Sequence, residues 1–163
     1  YITELNKEQL EEQFLELYDK FIDVKVYYDF VFNPNEKKLV QEAKLKISNE
    51  YFPIKGRRPK MRRSVAQKYI KHYISLGVDM FLVADLLLYN IEIAQAFSSE
   101  KVIRQELFFK SMLTSFQQAI SFLIKNGILE DFKSRVVAIK EQAILQNWLN
   151  QYEFNALIER FEY

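Results

Sequence analysis

The chain has 163 residues, a length at which one domain can bury roughly 70% of its unfolded surface. Apolar residues make up 49%, aromatics 15% and charged residues 28%, the balance of a compact folded protein, which excludes disorder. The absence of cysteine excludes disulfides, thiol nucleophiles and cysteine-based zinc sites, and the single histidine, His72, excludes any site needing two imidazoles. Three scattered glycines, Gly56, Gly77 and Gly127, cannot form a P-loop or a dinucleotide fingerprint.

Asn6, with Gln9 three positions on, predicts a helix start with a capping box. Its apolar stripe is Leu10, Phe14, Leu17, Tyr18 and Phe21. A shorter helix is expected over Asp23 to Phe32. Asn33 as cap, Pro34 at N1 and Glu36 at N3 predict a third helix reaching Tyr51, where Phe52-Pro53 ends it because the residue before proline avoids the α region. Ser64 is the expected cap of a helix with a stripe of Ala66, Tyr69, Ile70, Tyr73 and Ile74, stopped by Gly77. Asp79 caps the next, which runs to about Phe97 and is apolar on nearly all sides, the mark of a central helix. Three more are expected over Val102 to Asn126, Ile128 to Ile144 and Asn147 to Phe161. No segment alternates with period two, and the linkers are short. The reading is one all-α domain over 1–163, seven or eight helices in consecutive hairpins, packed as an orthogonal bundle or a short solenoid-like stack.

The first twenty residues carry Glu4, Glu8, Glu11, Glu12, Glu16 and Asp19 where a signal peptide needs an apolar core. The apolar run Val78 to Ala94 is interrupted by Asp79, Asp85, Asn90 and Glu92. A cytoplasmic protein without a membrane span is expected.

Charge is distributed unevenly. Residues 1–54 carry a net −4 and residues 73–163 a net −3, whereas 55–72 hold Lys55, Arg57, Arg58, Lys60, Arg62, Arg63, Lys68 and Lys71 with no acid, a net +8. Pro53, Gly56 and Pro59 make this stretch a loop leading into a helix N-terminus, where the dipole favours anions. Lys68, Lys71, His72 and Ser75 fall on the face opposite the apolar stripe. These eight cations are the candidate anion-binding residues, for nucleic acid or another polyanion, or for an acidic protein or a small phosphate. The plain alternative is a solvated loop, or one neutralised by acids of the same chain.

Asp85, Tyr89 and Glu92 lie along one line of the most apolar helix. Two carboxylates are too few for a metal cage and lack the Glu-x-x-His spacing of di-iron bundles, so the simpler expectation is the exposed edge of a central helix or an acid paired with a neighbouring arginine. Catalysis would require Asp85, Glu92 and His72 to converge in one pocket. No cofactor is implied. Tyr27, Tyr28, Phe30 and Phe32, like Phe108 and Phe109, crowd more aromatics together than one helix face can bury, so each group either meets a second layer of core or faces a partner.

The strings "YYDFVFNPNEKKLVQEAK", "EYFPIKGRRPKMRRSVAQKYIKHYISLGVD" and "VADLLLYNIEIAQAF" resemble a bacterial family of small all-helical proteins catalogued as a domain of unknown function. The resemblance covers nearly the whole chain. It implies a helical fold and a bacterial, cytoplasmic origin, and no activity. The functional expectation is a non-enzymatic helical interaction module that binds a protein partner or a second copy of itself, with nucleic-acid or polyanion binding through residues 55–72 as the alternative.

Overall fold

The computed structural model describes residues 1–161. They form a 3-10 turn, Ile2–Glu4, and eight α-helices: α1 Lys7–Lys20, α2 Ile22–Phe32, α3 Glu36–Tyr51, α4 Arg63–Leu76, α5 Met80–Glu100, α6 Glu106–Lys125, α7 Leu129–Leu145 and α8 Gln151–Glu159. Among the described residues there is no strand, and the protein is all-α. The chain divides into two compact units, Tyr1–Asn35 and the residues from Glu36 on.

The first unit is a two-helix hairpin. Asn6 caps α1 as expected, with Gln9 N–H donating to Asn6 Oδ1 (2.9 Å) and Asn6 N–H to Gln9 Oε1 (3.0 Å). An aromatic seam joins the helices: the Phe14 ring meets Tyr28 edge-on at 4.6 Å, Tyr28 touches Tyr27 and Phe32, and the Tyr18 hydroxyl donates to Asp29. No residue of α1 or α2 is buried. Asn33, expected to cap α3, instead closes α2 by donating its N–H to the Asp29 carbonyl (3.0 Å).

The second unit is organised around α5, which packs against α3, α4, α6 and α7; α8 lies on α6 and α7. Consecutive helices adjoin, and α3, α5 and α7 adjoin in order, the neighbour pattern of stacked hairpins. Burial follows the expected central role: Leu86, Leu87, Leu88 and Ile91 point in several directions and all are buried, because neighbours cover several faces of the helix. By length and composition α5 alone among the described helices could cross a membrane, and just over half of that stretch is buried within the protein. Asp79 caps α5 by accepting the Phe81 N–H (2.9 Å). Gly77 closes α4 in the left-handed conformation (φ 79°), with the Val78 N–H reaching back to the Tyr73 carbonyl (3.0 Å).

The far end of this unit departs from the sequence reading. Asn147, expected to start α8, ends α7 instead: at φ 52° it takes the left-handed position that asparagine tolerates better than most residues. The Trp148 N–H then bonds the Ala143 carbonyl (3.0 Å), and the indole swings into the core. Trp148, Phe108, Phe109 and Phe154 meet edge-on at 5.2–5.5 Å, and Phe154 stacks on Phe116 at 5.0 Å. Phe108 and Phe109 are therefore both core residues. Helix α6 starts at Glu106, four residues later than expected, and 101–105 form its lead-in.

Candidate functional site: a basic loop clamped by Glu50

The loop between α3 and α4 is shaped by a few local contacts. The Arg57 N–H bonds the Ile54 carbonyl (3.1 Å), and Gly56 sits third in that turn at φ 90°, the position where a type II turn requires positive φ. Met61 is also left-handed, at φ 52°. The N–H groups of Lys60 and Met61 thereby converge on one acceptor, the Glu50 carbonyl, both at 3.0 Å. The Glu50 carboxylate takes the rest of the turn: Arg62 Nε at 2.9 Å, Arg62 Nη2 at 2.8 Å and the Arg62 N–H at 3.2 Å. One residue in the last turn of α3 thus accepts five hydrogen bonds from residues 60–62. The hydrogen bonds from the Arg62 side chain outweigh the opposing effect of burial and hold the Glu50 carboxyl below the usual carboxylate range.

This clamp sets where α4 begins. Arg62, held extended (φ −82°, ψ 112°), is the cap residue, and the helix starts at Arg63. Ser64, the expected cap, lies within the first turn, and Arg62 makes no side-chain cap hydrogen bond. Tyr73, buried, donates its hydroxyl to the Leu39 carbonyl (2.7 Å) and ties α4 to α3; burial pushes its phenol up to about 12.

The eight predicted anion-binding residues separate into three groups. Arg62 is committed to Glu50. Arg63 is half-buried and bonded to neutral partners, with Nε donating to Ser115 Oγ (2.8 Å) and Nη2 to Gln118 Oε1 (3.1 Å). Burial alone lowers the pKa of its guanidinium from the ordinary value, and among the described residues no carboxylate offsets its charge. Lys55, Arg57, Arg58 and Lys60 in the loop, and Lys68 and Lys71 on α4, are exposed and make no ion pair among the described residues. Arg57, Arg58, Lys60 and Arg62 line a cleft of about 140 Å³ with Asn49, Glu50, Pro53 and Ile54. Sequence reasoning missed Glu50, whose only signal was an acid at a helix end shortly before an arginine-rich loop.

The second candidate is a charge-balanced joint. Arg135 on α7 donates Nε and Nη2 to the two Glu92 oxygens (2.9 and 2.8 Å) and Nη1 to Asp85 Oδ1 (2.8 Å). Lys44 on α3 reaches Asp85 Oδ2 at 2.6 Å with its ammonium 5.1 Å from the Tyr89 ring centroid. Two acids meet two bases and link α3, α5 and α7. His72 is exposed on α4, its ring 5.8 Å from that of Tyr73, and no hydrogen bond or ion pair joins it to either carboxylate. Among the described residues no cluster of three or more histidine, aspartate or glutamate side chains is arranged to hold a metal.

The described residues are all-helical, and the acid-free run of cations in residues 55–72 spans the α3–α4 loop and the first turns of α4. The chain belongs to the Family of unknown function (DUF6155), whose model matches residues 1–162. No curated protein matches the chain, and no solved structure does.

Proposed function

We propose that this protein is a non-enzymatic helical module that binds polyanions through the loop of residues 55–62 and the adjoining outer face of α4. One observation carries the reading: the loop is fixed at both levels, backbone and side chain, by Glu50, while Lys55, Arg57 and Arg58 make no ion pair among the described residues and the Lys60 side chain acts on Glu50 only through its charge, without an ion-pair contact. A loop that only needed solvating would not need this fixing. A preformed array of cations loses less entropy on meeting phosphates, and the free N–H groups at the start of α4 add to its field. Protein–nucleic-acid interfaces are strongly positive, whereas the cores of protein–protein interfaces are depleted of charge. A run of eight cations without an acid fits the first kind. The bacterial, cytoplasmic setting implied by the resemblance is one in which nucleic acid is abundant.

Fluorescence anisotropy against heparin and labelled DNA at low ionic strength tests the reading. Binding that weakens steeply with salt, and by about tenfold or more when Arg57 and Arg58 both become Ala, supports it. No binding at low ionic strength rejects it.

A second reading, association with another protein or a second copy, rests on the hairpin of residues 1–35, whose helices bury no residue and expose Leu10, Leu17, Phe21, Tyr27 and Phe32. Association through apolar surface survives high salt. Sedimentation at raised protein concentration and ionic strength separates it from anion binding; a monomer under both conditions removes self-association.

A further inference from the structure

A groove of about 380 Å³ lies between the loop and the start of α6, within the size range of ligand-binding clefts. Its walls are Pro59, Lys60, Met61, Gln105, Leu107, Phe108 and Ser111, with no acid among the described residues that line it. Lys60 borders both this groove and the arginine-lined cleft, so cationic and apolar surface are continuous through a single residue. Leu107 is 74% exposed, although it stands at the head of a helix whose other apolar side chains are mostly buried. Ser111 lies one turn before Ser115, the partner of Arg63, so a half-buried positive charge without a carboxylate sits one turn further along the same helix face.

We infer that this groove takes the bases of a single-stranded nucleic acid whose phosphates run along Lys60, Arg57 and Arg58, making the protein selective for single strands over duplexes. The inference rests on the polyanion reading and deepens it. A duplex keeps its bases stacked inside and offers the loop only phosphates, whereas a single strand can turn a base into an apolar recess beside a cation. Sequence-tolerant binders of this kind combine a basic groove with aromatic side chains on which bases stack. The one ring in this groove, Phe108, is buried, so Pro59, Met61 and Leu107 offer apolar contact to a base in its place. An acidic peptide would use the same cations, but the single-sign charge of the segment favours phosphate.

The test measures anisotropy with the full chain and four probes: an oligo-dT of about fifteen nucleotides, a duplex of the same length, heparin and polyglutamate. Leu107→Ser is the informative variant, because an exposed side chain can change without unfolding the protein, and its melting temperature checks that. The expected result is single-strand binding about tenfold or more tighter than duplex binding, weakened about fivefold by Leu107→Ser, with heparin affinity unchanged by the variant. Equal affinity for single strand and duplex, or a single-strand affinity indifferent to Leu107→Ser while heparin still binds, overturns the groove and leaves the polyanion reading standing. Failure to bind heparin or either nucleic acid overturns both, and polyglutamate binding without oligonucleotide binding replaces nucleic acid by an acidic protein.

Discussion

The hairpin of residues 1–35 and the helices from residue 36 on are written in the same code, apolar positions recurring every three or four residues, yet they end in different states. Neither α1 nor α2 buries a residue, while each of α3 to α8 buries at least three. The difference lies in how many sides of a helix are covered. Within its unit each hairpin helix meets only its partner along one seam, so Tyr27 and Phe32 keep much of their surface exposed. In the larger unit a second layer reaches round: Phe108 and Phe109 are adjacent in sequence, and Trp148 meets both. An amphipathic pattern sets which face a helix offers; burial depends on what arrives to cover it.

Substitutions can break that comparison, beginning with the largest effect. Phe116→Ala removes a fully buried ring stacked on Phe154 and is expected to cost about 3–5 kcal/mol, read by chemical denaturation. Next comes Arg135→Ala, which leaves Glu92 without its partner and Asp85 with only Lys44; because Arg135, Asp85 and Glu92 are each about a third exposed, the cost is about 1–3 kcal/mol rather than the full penalty of a buried pair. Arg135→Lys, which keeps the charge but loses the fork, is expected to recover part of that loss in the same measurement.

Glu50→Gln keeps the shape of the clamp and removes its charge, and is expected to cost about 1–2 kcal/mol. The same contact sets a pH dependence. Glu50 has a lower pKa folded than unfolded, so its contribution is fully present above the ordinary carboxylate range and is lost as pH falls through that range toward the depressed folded value. Denaturation midpoints of wild type and Glu50→Gln should therefore converge in acid and separate toward neutral pH. A constant gap would show that the carboxylate charge does not hold the loop. The smallest effect belongs to the hairpin: Phe14→Ala removes the edge-on contact with Tyr28, worth about 1 kcal/mol or less. Amide exchange should quicken in α1 and α2 and stay unchanged in α3 to α8.

Helix identity was legible because caps and stops are local chemistry. Asn6 with Gln9, Asp79, and Gly77 each act within a few residues of themselves, and each performs its predicted role. The errors arose where a residue could serve two ends. Asn33 and Asn147 read as starts but act as stops: Asn147 takes the left-handed position that asparagine tolerates, and Asn33 closes α2 through its backbone N–H to the Asp29 carbonyl. Ser64 lost the cap to Arg62 because a residue twelve positions upstream fixes the backbone there. The charge asymmetry of residues 55–72 was plain from counting; which cations are spent internally was not, because Glu50, Ser115 and Gln118 reach the segment through the fold. Asp85 and Glu92 left two readings open, an exposed helix edge or an arginine partner; the structure supplies the arginine, Arg135, which lies more than forty residues away in sequence.

The account turns on whether the cations left free by the clamp meet phosphates. Its most direct test is the salt dependence of oligo-dT affinity for the wild type and for the triple variant Arg57→Ala, Arg58→Ala, Lys60→Ala. If each of the three neutralises one phosphate, the slope of log K against log salt should become shallower by about 2 in the variant, since a single strand releases about 0.7 counterion per contact. An unchanged slope, with affinity intact, would place the phosphates elsewhere and contradict the assignment of this loop.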